Sequence, residues 1–175
     1  MSSHFRRTCS VVVGLFLVGT LISPLPGNTA AAESGTRGKL QGTWQLQVNP
    51  FICATGTPLP SFSALVSFHR GGTLTEVVNT GAFLPGQVTP GLGVWSRTDG
   101  NLYKADWEVF ILFDTPSTVP GFPFQRGVQR LTRDIQVFGD QMTYDGSSEL
   151  LDANGSLLGM TCANGIGTRL TQSQE

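Results

Sequence analysis

The clearest regularity along the chain is a period of two. Tyr103, Ala105, Trp107, Val109, Ile111 and Phe113 alternate with Leu102, Lys104, Asp106 and Glu108. Such alternation predicts a strand with one buried and one wet face, the habit of antiparallel sheets. The same period recurs upstream. Leu40, Gly42, Trp44, Leu46 and Val48 share one face of a first strand, and Phe62, Ala64, Val66 and Phe68 one face of a second. His69, Arg70, Gly71 and Gly72 then predict a turn, because glycine takes the positive φ that hairpin turns require. Residues 73–79 return as a third strand. Residues 92–97 predict a fourth, 102–113 the fifth just described, and 128–138, 141–151 and 156–170 the sixth to eighth. Gly, Pro, Asn and Asp clusters separate them, including two long Pro/Gly segments at 81–90 and 116–123.

No segment sustains a 3.6-residue apolar period, and the abundance of Gly and Pro argues against helices. Eight strands joined mostly by hairpins predict one all-β domain over residues 40–171, an antiparallel up-and-down barrel. Closure removes the exposed edges that an open sheet would present. A two-sheet β-sandwich satisfies the same periodicity and is the alternative.

The first 32 residues change the picture. Arg6 and Arg7 precede an apolar run at 11–22, Pro24 and Pro26 break it, and Ala30, Ala31 and Ala32 offer a small-residue cleavage site. That is the layout of a signal peptide. The run of about 12 residues is short of the roughly 20 that span a bilayer as a helix, which disfavours an uncleaved anchor. Secretion or delivery to a periplasm is therefore expected, with residues 33–39 a flexible polar lead-in. Cleavage near Ala32 leaves 9 basic and 12 acidic residues, a net charge of −3. It also leaves one histidine, His69, and two cysteines, Cys53 and Cys162. An even pair of cysteines in an oxidising compartment points to one disulfide, the alternative being two buried thiols.

Composition excludes other classes. The chain is 39% hydrophobic and 13% charged with pI near 6.1, too apolar for a disordered tail and too weakly basic for an electrostatic nucleic-acid binder. No metal-ligand spacing, cofactor motif, nucleophile elbow or phosphate loop is present, so no metal and no cofactor is expected. A His-based triad would have to use His69, which falls in a turn.

Two charged residues stand out by their neighbours. Glu76 lies between Leu74 and Val78 on the apolar face of the third strand, unless a bulge or a one-residue shift turns it outward. There it would have a raised pKa unless paired, and it could orient a ligand or act as a base. Arg133 shares a side with Leu131, Ile135 and Val137, whereas Arg126 and Arg130 lie on the other. If that side is inward, Arg133 meets Glu76 or a ligand carboxylate; otherwise the arginines form a solvated stripe. With Phe62, Phe68, Tyr103, Trp107 and Tyr144, which line or fill the interior, these two make the candidate ligand-binding set. Phe83, Leu84, Phe122 and Phe124 are apolar for loop residues and hint at a lip, or at a surface for a protein partner. Phe110 and Leu112 face outward, where they would offer a dimer patch.

Gly42-Thr43-Trp44 near the start of the first strand, with Arg169 near the end of the last, resembles the signature of calycins, the group that includes lipocalins and avidin-like barrels. The resemblance implies that Trp44 closes the barrel floor beneath Arg169, with Gly42 beside them as structural residues. A guanidinium over an indole gains cation–π attraction while its donors cap backbone carbonyls. Residues 68–107 are also similar to a group of small exported bacterial lipocalin-like proteins without an assigned chemistry. The chain departs from lipocalins in lacking their C-terminal helix.

Three functions fit. One is a non-catalytic barrel that binds a small apolar or amphipathic molecule. A second is a structural or interaction module with a filled barrel and displayed loops, and a third is a barrel-type isomerase or cyclase that uses an interior carboxylate such as Glu76.

Overall fold

The computed structural model describes residues 40–116, 120–121 and 124–171. The expected signal peptide, the lead-in at 33–39 and Phe122 lie outside the described residues. Eight strands follow one another: β1 Gly42–Phe51, β2 Phe62–Phe68, β3 Thr73–Asn79, β4 Gly91–Asp99, β5 Leu102–Phe113, β6 Gln125–Phe138, β7 Gln141–Asp152 and β8 Leu157–Arg169. Each pairs antiparallel with the next, and β1 pairs antiparallel with β8, so the sheet closes into an up-and-down barrel. The sandwich alternative is thereby excluded. β6 starts three residues ahead of the expected 128, because Gln125, Arg126 and Gly127 continue the ladder opposite Phe113, Leu112 and Ile111.

The alternation does what the period of two demands. In β5 Tyr103, Ala105, Trp107, Val109 and Ile111 are buried, while Leu102, Lys104, Asp106, Glu108 and Phe110 are exposed. In β6 Leu131, Arg133, Ile135 and Val137 point inward, and Arg130 points outward, where it bonds Glu108 across the strand pair at 2.7 Å. His69 is exposed in its turn.

The two ends of the barrel differ. At one end β2–β3, β4–β5 and β6–β7 are joined by short turns, and this floor is packed solid. Trp44 is fully buried and donates from Nε1 to the Leu40 carbonyl at 2.8 Å. The Arg169 guanidinium lies 4.2 Å from the centroid of its ring, donates to the Gln41 carbonyl and bonds Asp140 at 2.9 Å. Gly42 has φ +126°, and a Cβ on it would sit 2.8 Å from Arg169 Nη1. Only glycine leaves that space open in that conformation. Beside this group Phe68, Trp95 and Tyr103 pack edge to face, with centroids 6.1 and 5.9 Å apart.

At the opposite end, the mouth, longer segments join β1 to β2, β3 to β4 and β5 to β6. The β3–β4 segment is tied down: Val88 bridges Ile111, and Thr89 and Gln87 exchange backbone bonds with Phe110 and Leu112. Cys53, just past β1, is bonded to Cys162 in β8 with the Cα atoms 5.0 Å apart. Since Phe51 is the register partner of Cys162, the disulfide sits beside the mouth end of the β1–β8 seam. Trp44 and Arg169, also register partners, hold its floor end.

Candidate functional site

Above the packed floor the barrel is hollow. A cavity of about 710 Å³ runs from Phe68 and Met142 low in the barrel to Leu59 and Phe83 at the mouth. Its size falls within the roughly 300–1,000 Å³ range of small-molecule sites.

The space is made by an uneven distribution of side-chain size. β8 turns Gly159, Thr161, Ala163, Gly165 and Gly167 toward the interior, and β4 turns Gly91 and Gly93 the same way. β4 makes its gap for one residue. A Cβ on Gly93 would overlap the β5 backbone and Trp107, and one on Gly91 would stand 2.8 Å from Trp107 Cδ1. The Trp107 indole thus lies across β4 and reaches β3, where its Nε1 donates to Glu76 Oε2 at 2.6 Å.

Glu76 is 5% exposed, so the register expected from Leu74 and Val78 holds and no bulge turns it outward. Burial raises its pKa above the ordinary 4.5; the Trp107 hydrogen bond and the Arg133 charge oppose that shift. Arg133 is likewise 5% exposed. Burial lowers its pKa, against the attraction of Glu76. The two charges do not form a direct ion pair. Trp107 stands between them, hydrogen-bonded to Glu76 and with its ring centroid 5.4 Å from the Arg133 guanidinium carbon. Arg133 Nη1 donates to the carbonyls of Thr132 and Ser147 at 2.8 and 2.6 Å, and Nη2 donates to Ser148 Oγ at 3.2 Å.

Tyr144 crosses the strand-sized gap left by Gly165 and donates its hydroxyl to the Gln47 carbonyl of β1 at 3.0 Å. Burial pushes its pKa up, so it stays neutral. It presents a ring to the cavity, with its proton already committed.

Phe62, Phe68, Glu76, Trp107, Arg133 and Tyr144 all line the one cavity. Tyr103 does not. It belongs to the floor, where its hydroxyl is the one fully buried side-chain polar atom without a partner among the described residues. Ser148, which holds Arg133, was not singled out by the sequence. It sits in the run Asp145-Gly146-Ser147-Ser148-Glu149, which carries no apolar alternation to assign a face. Of the expected lip, Phe83 lines the cavity, whereas Leu84 and Phe124 are exposed.

Among the described residues no group of three or more metal-ligating side chains exists, and no helix is long and apolar enough to cross a membrane. Compared with protein-family models, curated proteins and solved structures, the chain matches none. Its class therefore rests on architecture: a closed eight-stranded antiparallel barrel, consistent with a calycin-like fold, with a packed floor and a hollow upper part.

Proposed function

We propose that this protein is an exported, non-catalytic binding protein that holds a small apolar or amphipathic molecule inside its barrel. The observation that carries the reading is the cavity itself, a mostly apolar hollow with a few convergent polar groups in a barrel stiffened by its closed ladder. Phe62, Phe68, Glu76, Trp107, Arg133 and Tyr144 form the ligand-facing set. An interaction module working through its loops alone has no need of such a space, since core side chains would fill it. The Cys53–Cys162 bond supports an oxidising, extracytoplasmic location.

The reading is tested by native mass spectrometry of the purified full-length product, with tryptophan fluorescence titrated against fatty acids, retinoids and aromatic small molecules. Trp107 lines the cavity and is the reporter. A co-purifying mass, or saturable quenching at micromolar concentrations, is the expected result. A protein that carries nothing and is silent to every compound would overturn the reading in favour of a module that acts through its outer surface.

A further inference from the structure

A guanidinium sealed in a barrel is costly unless its charge and its donors are answered. Arg133 is answered only in part. Its hydrogen bonds go to two carbonyls and one hydroxyl, all neutral, and use three of its five N–H groups. Nε and one Nη2 hydrogen are left over. Nε is not sealed off, because it has no partner and yet Tyr103 Oη is the only fully buried, partnerless side-chain polar atom among the described residues. Arg133 lines the cavity, so its free donors have the cavity to face.

The rest of the wall places no carboxylate in hydrogen-bond contact with the guanidinium. Glu76 is the one other charged residue among those that line the cavity. It stands on the far side of the Trp107 indole, hydrogen-bonded to that ring, so its attraction reaches the guanidinium without contact. The remaining contacts of the guanidinium are a ring face and Ser148, which fix its position without neutralising it. Above Arg133, toward the mouth, the wall turns apolar through Leu131, Val109, Val88, Phe62 and Phe83.

We infer that the ligand is an amphiphile with a single carboxylate, the carboxylate received by Arg133 beside Ser148 and the apolar chain running up to the mouth. This deepens the reading of the barrel as a binding protein and rests on it. A carboxylate fits better than a phosphate head group for reasons of charge. One guanidinium balances one negative charge, and its planar fork matches two carboxylate oxygens, whereas a dianion would leave a second charge buried.

The test compares matched ligands: dodecanoate, dodecan-1-ol and dodecyl phosphate, each titrated by Trp fluorescence against the oxidised protein. Dodecanoate should bind about tenfold or more tighter than the alcohol, the equivalent of one charge-assisted hydrogen bond, and tighter than the phosphate. In Arg133→Met the acid-to-alcohol affinity ratio should fall toward one. Arg133→Lys keeps the charge but loses the fork, and should give a ratio between the two. Circular-dichroism melts report whether each variant folds; if Arg133→Met does not, the wild-type and Arg133→Lys ratios decide. Equal binding of acid and alcohol by the wild type would overturn the carboxylate assignment and leave the binding barrel standing. A preference for dodecyl phosphate would overturn the assignment as well. Silence to all three, together with an empty native mass, would remove the binding reading itself.

Discussion

At the scale of single residues, Glu76 is where burial and charge compete, and the outcome is open to titration. Its pKa is raised in the folded protein, so the native state holds a proton that the unfolded chain releases first. Stability is then fully present below the ordinary carboxylate value of 4.5 and declines as pH rises from there through the folded pKa, after which it levels off. Urea unfolding of the wild type should show this downward slope, and Glu76→Gln should flatten it; equal slopes would mean that Glu76 is not the group responsible. Much of this site was legible from the chain. Leu74 and Val78 flank Glu76, and Leu131 and Ile135 flank Arg133, so a period of two offers both the inner face, while leaving open a bulge at Glu76 and a solvated arginine stripe until their burial decides. What alternation does not give is height. Tyr103 shares a face with Trp107, but four residues of strand put it about 13 Å nearer the floor, among Phe68 and Trp95 rather than in the cavity. The Trp107 bridge was also hidden, since it depends on the register of β3, β4 and β5 together and on two glycines that leave the indole its room.

At the scale of the strand, β8 decides how much of the barrel stays empty. Its pattern reverses the usual one: Leu158 and Ile166 face outward and are exposed, while glycines, Thr161 and Ala163 face inward. Sequence periodicity recognised a strand here but gave its faces no meaning, because small residues contribute nothing to a hydrophobic signal. The inward glycines are not equivalent. A Cβ on Gly159 would meet nothing within 4 Å, whereas one on Gly165 would overlap the Gln47 carbonyl and the Tyr144 ring. Gly159→Leu should therefore fold normally and weaken ligand binding by occupying the cavity, as read by the same fluorescence titration. Gly165→Ala should cost about 1–3 kcal/mol in denaturant unfolding, the usual penalty of overpacking. A Gly165→Ala protein as stable as the wild type would show that the β1 backbone at Gln47 and the Tyr144 ring both yield more easily than their positions imply.

At the scale of the whole molecule, the disulfide closes a loop with a sequence separation of 109 residues. In the chain-entropy account a loop of that length stabilises by about 4–5 kcal/mol, acting mostly on the unfolded chain. The Cys53→Ala/Cys162→Ala double variant should lose stability of that order in guanidinium unfolding; a loss under about 1 kcal/mol would mean that the unfolded chain is little constrained by the bond. The eight antiparallel strands were legible from alternating segments and their turns. Closure was not, because β1 and β8 carry no mark in the sequence that says they are neighbours, apart from the resemblance carried by Trp44 and Arg169. Every other strand pair joins segments adjacent in the chain, so the β1–β8 seam is the one pairing that no short connection holds together. The Cys53–Cys162 bond supplies that missing connection, so once it forms the strand ladder is covalently continuous around the whole barrel.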